Sequence, residues 1–306
     1  MRLGDYRMSD NVSDQRGMSF GGGGFGGGGG GGCLPLLFGM VLSRFGIGGV
    51  LILLLGYCAL TTLGGGLGTL GGGSPTAVAP HQQTAAGASG QGCTVDPASR
   101  FSCQVLASTE DTWGKIFAQQ GQRYTPAGFV FYGGQGQSGC GAAQSAMGPF
   151  YCPNDNKIYL DTSFYGELQS RFGARGDAAQ AYVIAHEVGH HIQYLTGTLE
   201  RASAAQQRLS SREGNAVQVK VELQADCLAG VWAANARDAH GQAVLEPGDV
   251  EEGLGAASAI GDDTLQRQSQ GRVVPESFTH GSSAQRMEWL RRGLQSGDPA
   301  ACNTGV

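Results

Sequence analysis

Apolar residues recur at helical spacing near the middle of the chain. Ile184, Val188, Ile192 and Leu195 follow one another at intervals of three or four residues, which would align them as one stripe on a helix. His186 lies about 200° around such a helix from Ile184, so it would face away from the stripe. The pattern predicts an amphipathic helix with a buried side and a polar side that carries a histidine.

Two more stretches carry an apolar stripe at helical spacing. Residues 109–119 predict a helix for which Ser108 or Thr109 could serve as the cap. Residues 213–237 predict a second helix, although 217–221 alternate in the manner of a strand and its start could lie later.

Extended stretches precede the central helix. Residues 128–132 predict a strand, and residues 150–152 and 157–161 predict a hairpin around the turn at 153–156. Such a segment could form a sheet edge along which a peptide adds as a further strand, but ordinary core strands explain the pattern equally well. Helical and extended stretches together predict a mainly helical α+β domain with a small β-sheet.

An apolar run of 19 residues without a charge, 45–63, lies upstream of these elements. Its length is close to the roughly 20 residues that cross a bilayer as a helix, so it predicts a transmembrane helix. A buried core helix and a cleaved signal peptide are the alternatives. Basic residues precede the run at Arg2, Arg7, Arg16 and Arg44, and the next one is Arg100. This asymmetry predicts a cytoplasmic N-terminus and an exported remainder of the chain.

The predicted span divides the chain into four parts. Residues 1–44 would be a glycine-rich cytoplasmic tail, 45–63 the span, 64–92 a flexible linker and 93–306 the folded domain. The glycines agree with this division, because 25 of the 54 fall within residues 1–73. The expected location is the inner membrane, with a single pass and the domain on the periplasmic side.

Six of the eight cysteines lie beyond the predicted span, an even number in what would be an oxidising compartment. The local pairs would be Cys93 with Cys103 and Cys140 with Cys152, which leaves Cys227 for Cys302. Six cysteines allow fifteen pairings, so this pairing is one hypothesis among several. A zinc site made of thiolates is disfavoured because no C-x-x-C pair occurs.

The charge balance excludes one class of partner. Twenty Lys and Arg residues against 25 Asp and Glu give a net charge of −5, and no basic cluster occurs along the chain. A nucleic-acid-binding surface would require such a cluster, so we exclude nucleic acid as a partner.

The central helix contains the sequence His186-Glu187-Val-Gly-His190, an H-E-x-x-H motif. Two histidines four residues apart project from one face of a helix, so both imidazoles can bind one zinc ion. Glu187 would then lie beside the metal, where a carboxylate can act as general base on a water molecule that the metal activates. The alternative is two histidines on an ordinary core helix.

A third ligand must come from elsewhere in the chain. An extended H-E-x-x-H-x-x-G-x-x-H motif would need glycine at 193 and histidine at 196, but Gln193 and Thr196 occupy these positions. Glu222 and Asp226 lie one turn apart on the second predicted helix. They suit a zinc ligand and an acceptor for the imidazole N–H of His186, respectively. A solvated acidic helix face is the alternative.

Several motifs together resemble the bacterial predicted neutral zinc metallopeptidase family. They are His186-Glu-Val-Gly-His-His191, Glu222-Leu-Gln-Ala-Asp-Cys227, Gly148-Pro-Phe-Tyr-Cys-Pro153 with Ile158-Tyr-Leu-Asp161, and Ser277-Phe-Thr-His-Gly281 with Gln285-Arg286. The resemblance implies a membrane-anchored zinc peptidase with a thermolysin-like site. In it, His186, His190 and Glu222 bind zinc, Glu187 is the base and Asp226 supports a ligand.

His280 resembles the histidine that zinc peptidases with a glutamate ligand often bring from a distant segment to stabilise the oxyanion. A structural histidine bonded near Arg286 is the alternative. His81, His191 and His240 receive no role in this interpretation.

The sequence thus predicts a zinc-dependent peptidase that acts on peptide or protein substrates. A non-catalytic zinc-binding membrane scaffold and a zinc hydrolase for non-peptide amides are the competing hypotheses.

Overall fold

Eight α-helices and six β-strands form the part of the chain that the structure, a computed structural model, describes: residues 1–18 and 90–306. The strands are β1 Val12–Asp14, β2 Gly128–Tyr132, β3 Gln135–Ser138, β4 Gly141–Gln144, β5 Phe150–Cys152 and β6 Lys157–Asp161. The helices are α1 Pro97–Gln119, α2 Ser163–Ser170, α3 Asp177–Leu195, α4 Thr198–Gln206, α5 Ser211–Asn235, α6 Asp249–Ala259, α7 Asp262–Gln270 and α8 Ser283–Ser296. The predicted fold class, mainly helical α+β with a small sheet, is confirmed.

The main sheet has the strand order β1-β2-β6-β5. The first three strands are parallel, and β5 pairs with β6 in the antiparallel direction, so β5 forms one edge. This arrangement confirms the predicted strand at 128–132 and the hairpin around 153–156. Strands β3 and β4 form a separate antiparallel pair.

Two helix starts differ from the sequence prediction. Helix α1 begins at Pro97, twelve residues before the predicted start, because the side chain of Asp96 caps it by accepting from the backbone N–H of Ser99. Helix α5 begins at Ser211, two residues before the predicted start. Its start is a capping box in which Ser210 and Glu213 bond to each other's backbone N–H. Residues 217–221 are helical, despite their strand-like alternation.

Residues 1–18 pack against the domain. Strand β1 lies beside β2, and the side chains of Leu3 and Val12 are buried. Residues 1–18 and 90–306 belong to one compact unit. The expectation of a separate tail over 1–44 is therefore wrong for residues 1–18, because their apolar side chains contribute to the core of the domain.

The expected membrane span, 45–63, lies outside the described residues. Among the helices of residues 1–18 and 90–306, none combines the length and the apolar character needed to cross a bilayer.

All three hypothesised disulfide bonds are present. Cys93 pairs with Cys103, Cys140 with Cys152, and Cys227 with Cys302. The last one ties the C-terminal segment to α5, and the first one fastens the start of α1.

Helices α3 and α5 cross in close contact where the motif glycine lies. A Cβ atom on Gly189 would stand 2.8 Å from the carbonyl oxygen and 3.0 Å from the Cα of Ala225. Only glycine permits this approach. The crossing brings the two histidines of the H-E-x-x-H motif opposite Glu222. The glycine within the motif thus sets the distance between the two ligand-bearing helices.

Replacing Gly189 with Ala is expected to weaken zinc binding and to lower the free energy of unfolding by about 1–3 kcal/mol, because the helices must separate. The matched control is Gly114→Ala in α1, where a Cβ atom would meet nothing within 4 Å. The control should gain stability through its higher helix propensity. Thermal unfolding and zinc titration of both variants check this prediction; equal behaviour of the two would contradict it.

Candidate metal centre

Three potential ligand atoms converge between α3 and α5. Nε2 of His186 lies 3.2 Å and Nε2 of His190 lies 3.5 Å from Oε2 of Glu222. All three atoms lie within 4.8 Å of one another. His186 and Glu222 are each 6% exposed, so the group is largely shielded from solvent. The structure therefore brings together the three residues that the sequence assigned as ligands.

This donor set fits zinc. Two ligand atoms at roughly 2.0–2.1 Å from a tetrahedral ion lie about 3.3 Å apart, close to the separations found between each histidine and Glu222. Two imidazoles and one carboxylate are also the donors of a common catalytic zinc site, in which the fourth position is left open.

Each candidate ligand is held by a further side chain. Nδ1 of His186 lies 2.8 Å from Oδ1 of Asp226, and Nδ1 of His190 lies 2.8 Å from the side-chain oxygen of Gln193. These acceptors fix the proton on Nδ1 and leave Nε2 free for a metal. Glu222 accepts a hydrogen bond of 2.9 Å from Gln218 on its other carboxylate oxygen.

Asp226 is the centre of a buried polar network. Its carboxylate, fully shielded from solvent, accepts from Nε and Nη2 of Arg286, both at 2.9 Å, and from the Tyr182 hydroxyl at 2.6 Å. Arg286 also donates to that hydroxyl at 3.0 Å. Burial raises the pKa of Asp226, but Arg286 and His186 outweigh this effect and bring its pKa down to about 2. Asp226 is thus a permanent anion against which His186 is oriented.

The two candidate histidine ligands hold protons tightly when no metal is bound. Burial lowers the pKa of His186, but the charge of Asp226 and bonds to Asp226 and Glu222 outweigh it, and the pKa rises to about 10. Burial also lowers the pKa of His190, but the charge of Glu222 and the hydrogen bond to it outweigh this effect, so the pKa of His190 is raised. The pKa of Glu222 lies well below its usual range: burial opposes this shift, and the two histidines cause it. A metal must therefore displace protons from the imidazoles.

Zinc affinity is expected to rise with pH across the neutral range. Protonated imidazole cannot bind metal, and the raised pKa of His186 keeps it protonated below about pH 10 in the metal-free protein. Each displaced proton makes the apparent Kd fall about tenfold per pH unit. Competition with a chromophoric chelator at pH 6, 7 and 8 measures this slope, and a Kd that does not change with pH would contradict the prediction.

A cleft of about 620 Å³ opens onto the three ligands. Glu187 lies on its wall and is only 7% exposed. Its carboxylate accepts no hydrogen bond from the described residues, which leaves it available to a water molecule or a substrate. Residues 145–151, which lead into and include most of the edge strand β5, form another wall of the same cleft.

His280 lines the cleft from the segment before α8, and its side chain is 51% exposed. Its Nδ1 lies 3.2 Å from Oδ1 of Asp262, while the other oxygen of Asp262 accepts the backbone N–H groups of Thr279, His280 and Gly281. The bond to Asp262 is the main cause of a raised pKa for His280, which burial opposes. The ring is therefore anchored through Asp262 rather than near Arg286.

The profile of the family described as "Putative neutral zinc metallopeptidase" matches residues 1–305. The chain belongs to this family. It is 47% identical over 308 residues to the Escherichia coli K12 protein titled "Uncharacterized protein YpfJ", covering 99% of this chain and 98% of that relative. It is 44% identical over 219 residues to "Uncharacterized protein Rv2575" of Mycobacterium tuberculosis, covering 68% of this chain and 72% of that relative. No solved structure matches.

Several residues of this family member's site were not assigned from the sequence. Tyr182 and Gln218 each precede a predicted ligand by four residues, so helical spacing could have revealed both. Arg286 and Asp262 lie in distant segments, and no local pattern links them to the ligands. His191, which received no role, is buried and connects α3 to Tyr151 of β5 through a hydrogen bond of 3.0 Å.

Proposed function

We propose that this protein is a zinc-dependent peptidase. The observation that carries the proposal is the convergence of His186, His190 and Glu222 in the lining of a cleft that Glu187 also lines. Family membership supports zinc as the metal. The donor set, its outer supports and the unbonded carboxylate match the requirements of metal-assisted hydrolysis.

Bound zinc would supply Lewis acidity, polarising the scissile carbonyl and lowering the pKa of water. Glu187 takes the proton of the attacking water and returns it to the departing amine. His280, anchored by Asp262, donates a hydrogen bond to the oxygen on which negative charge develops. Asp226 and Gln193 keep the two ligand imidazoles in the tautomer and orientation that the reaction needs.

An extended peptide fits the cleft because one wall of the cleft includes residues of the edge strand β5. Strand β5 pairs with β6 on one side only, at the end of the sheet. Backbone groups at such an edge can pair with an extended peptide, which would lie across the cleft above the ligands. The proposed substrate is therefore an extended segment of polypeptide.

Hydrolysis of a casein-type substrate by the zinc-loaded chain tests the proposal. Activity should disappear with a zinc chelator and return when zinc is restored. A protein that binds zinc but cleaves neither peptides nor cell-wall amides would instead be a non-catalytic scaffold. Cleavage of the cell-wall amides alone would indicate an amidase.

Replacing His280 with Ala is expected to lower kcat roughly 10²–10³-fold with little change in zinc content, since one donor to the oxyanion is lost. His240→Ala is the control, because His240 is exposed in a turn outside the cleft. Steady-state kinetics and metal analysis of both variants check this. An unchanged kcat in the His280 variant would assign His280 a structural role.

A further inference from the structure

The N-terminal segment, residues 1–18, is built into the domain through backbone pairing. The N–H of Phe129 donates to the carbonyl of Asn11 at 2.8 Å, and the N–H of Gln15 donates to the carbonyl of Phe131 at 2.7 Å. These bonds join β1 to β2 in parallel register. Without the segment, β2 would expose its edge and the side chains packed against Leu3 and Val12.

A buried carboxylate depends on the same segment. Glu110 in α1 is 7% exposed and accepts from Arg7 at 2.9 Å, from the Ser9 hydroxyl at 2.5 Å and from the Asn11 amide at 2.8 Å. In the described part of the chain, every side chain that bonds to Glu110 comes from residues 1–18. Without the segment, Glu110 would lose every side-chain hydrogen bond that it accepts in the described part of the chain.

The C-terminal end of the segment, at Arg16, also bonds to the domain. Arg16 bonds to Asp14, and also to Asp96 and Ser99 at the start of α1 and to the carbonyl of Gly92. The segment therefore contacts the domain at both of its ends as well as along β1.

Three of the four arginines that suggested a cytoplasmic N-terminus, those within residues 1–18, have partners within this fold. Arg2 pairs with Glu246, and Arg7 pairs with Glu110. Arg16 bridges to Asp96. Their presence is explained by ion pairs, so they need not reflect retention on the cytoplasmic side of a membrane.

We propose that residues 1–18 and 90–306 fold together in one compartment. Both segments then lie on the same side of any membrane. A single crossing would separate β1 from β2 and Glu110 from its donors. This proposal replaces the expected single-pass topology with the N-terminus inside.

The disulfide bonds indicate which compartment this is. The backbone N–H of Ser9 donates to the carbonyl of Cys103, at 3.2 Å, so the segment lies against the Cys93–Cys103 disulfide. Stable disulfides belong to oxidising compartments, so the N-terminal segment would be exported together with the domain.

Cysteine labelling of the full-length chain tests the proposal. Met8→Cys in the segment and Leu209→Cys in the domain replace side chains of similar exposure, 37% and 40%. Both are made in a chain with Cys33 and Cys58 changed to Ser. Spheroplasts and permeabilised cells are then treated with a membrane-impermeant maleimide.

In spheroplasts, the maleimide should either label both substituted positions or label neither. Labelling of both supports export of the whole unit, and protection of both until permeabilisation supports a shared cytoplasmic location. Labelling of one position with protection of the other would overturn the proposal.

A stability measurement gives a second, independent test. Ser9→Ala with Asn11→Leu removes two donors to Glu110 and should lower the Tm of the purified full-length chain by about 5 °C or more. Asp5→Ala is the control at an exposed position of the same segment. An equal Tm for both variants would mean that the segment does not fold onto the domain.

Discussion

Replacing Glu187 with Gln is expected to lower kcat for peptide hydrolysis roughly 10²–10⁴-fold while the protein retains its zinc. Glutamine has the shape of glutamate but cannot accept a proton. His186, His190 and Glu222 supply the metal ligands without Glu187, so metal binding should not depend on this residue. The variant thus separates catalysis from zinc binding.

The control for this prediction is Glu251→Gln, which makes the same chemical change at an exposed position of α6. Its kcat and zinc content should equal those of the unsubstituted protein. Full activity in the Glu187 variant would show that Glu187 is not the base. Loss of zinc in that variant would show that the residue supports the metal instead.

Replacing Arg286 with Met is expected to lower the free energy of unfolding by about 3–5 kcal/mol, since Asp226 would remain as a buried charge without its counter-ion. Arg286 is 2% exposed, so solvent cannot replace its two hydrogen bonds to Asp226. Asp226, the acceptor for His186, would lose the two hydrogen bonds that hold it in place, so zinc affinity should fall roughly 10–100-fold. Denaturant unfolding of the metal-free protein and zinc titration measure the two effects separately.

The double variant Asp226→Leu with Arg286→Met distinguishes charge burial from ligand support. Removing both charges should recover much of the lost stability, because a buried ion pair contributes little relative to apolar groups. Zinc affinity should stay low, since His186 still lacks an acceptor for its Nδ1 proton. Recovery of zinc affinity in the double variant would contradict the role of Asp226 as the orienting acceptor.

The grouping of the candidate ligands was predictable because their spacing is encoded locally. His186 and His190 lie one turn apart, and Glu222 and Asp226 repeat that spacing on the second helix. The structure brings all four together. The prediction that the histidine side of α3 faces away from the buried side was too simple: α3 is buried on nearly every side, because α5 covers the ligand face.

The features that the sequence did not reveal depend on contacts between distant segments. Strand β1 has three residues, too few for a recognisable alternation, and its partner strand lies more than one hundred residues later. Arg286 reaches Asp226 from 60 residues away. The start of α1 is different, because its signal is local: Asp96-Pro97 is an N-cap followed by proline at the first helical position, and Phe101 and Val105 extend the apolar stripe towards it.

A zinc-binding titration of the unsubstituted protein and of Glu222→Ala, combined with X-ray absorption at the zinc edge, tests directly whether His186, His190 and Glu222 hold the metal. One zinc per chain should bind, held by two imidazole nitrogens and a carboxylate oxygen, and the variant should show a large loss of affinity. Unchanged affinity in Glu222→Ala, or a zinc environment with sulfur ligands, would contradict this expectation.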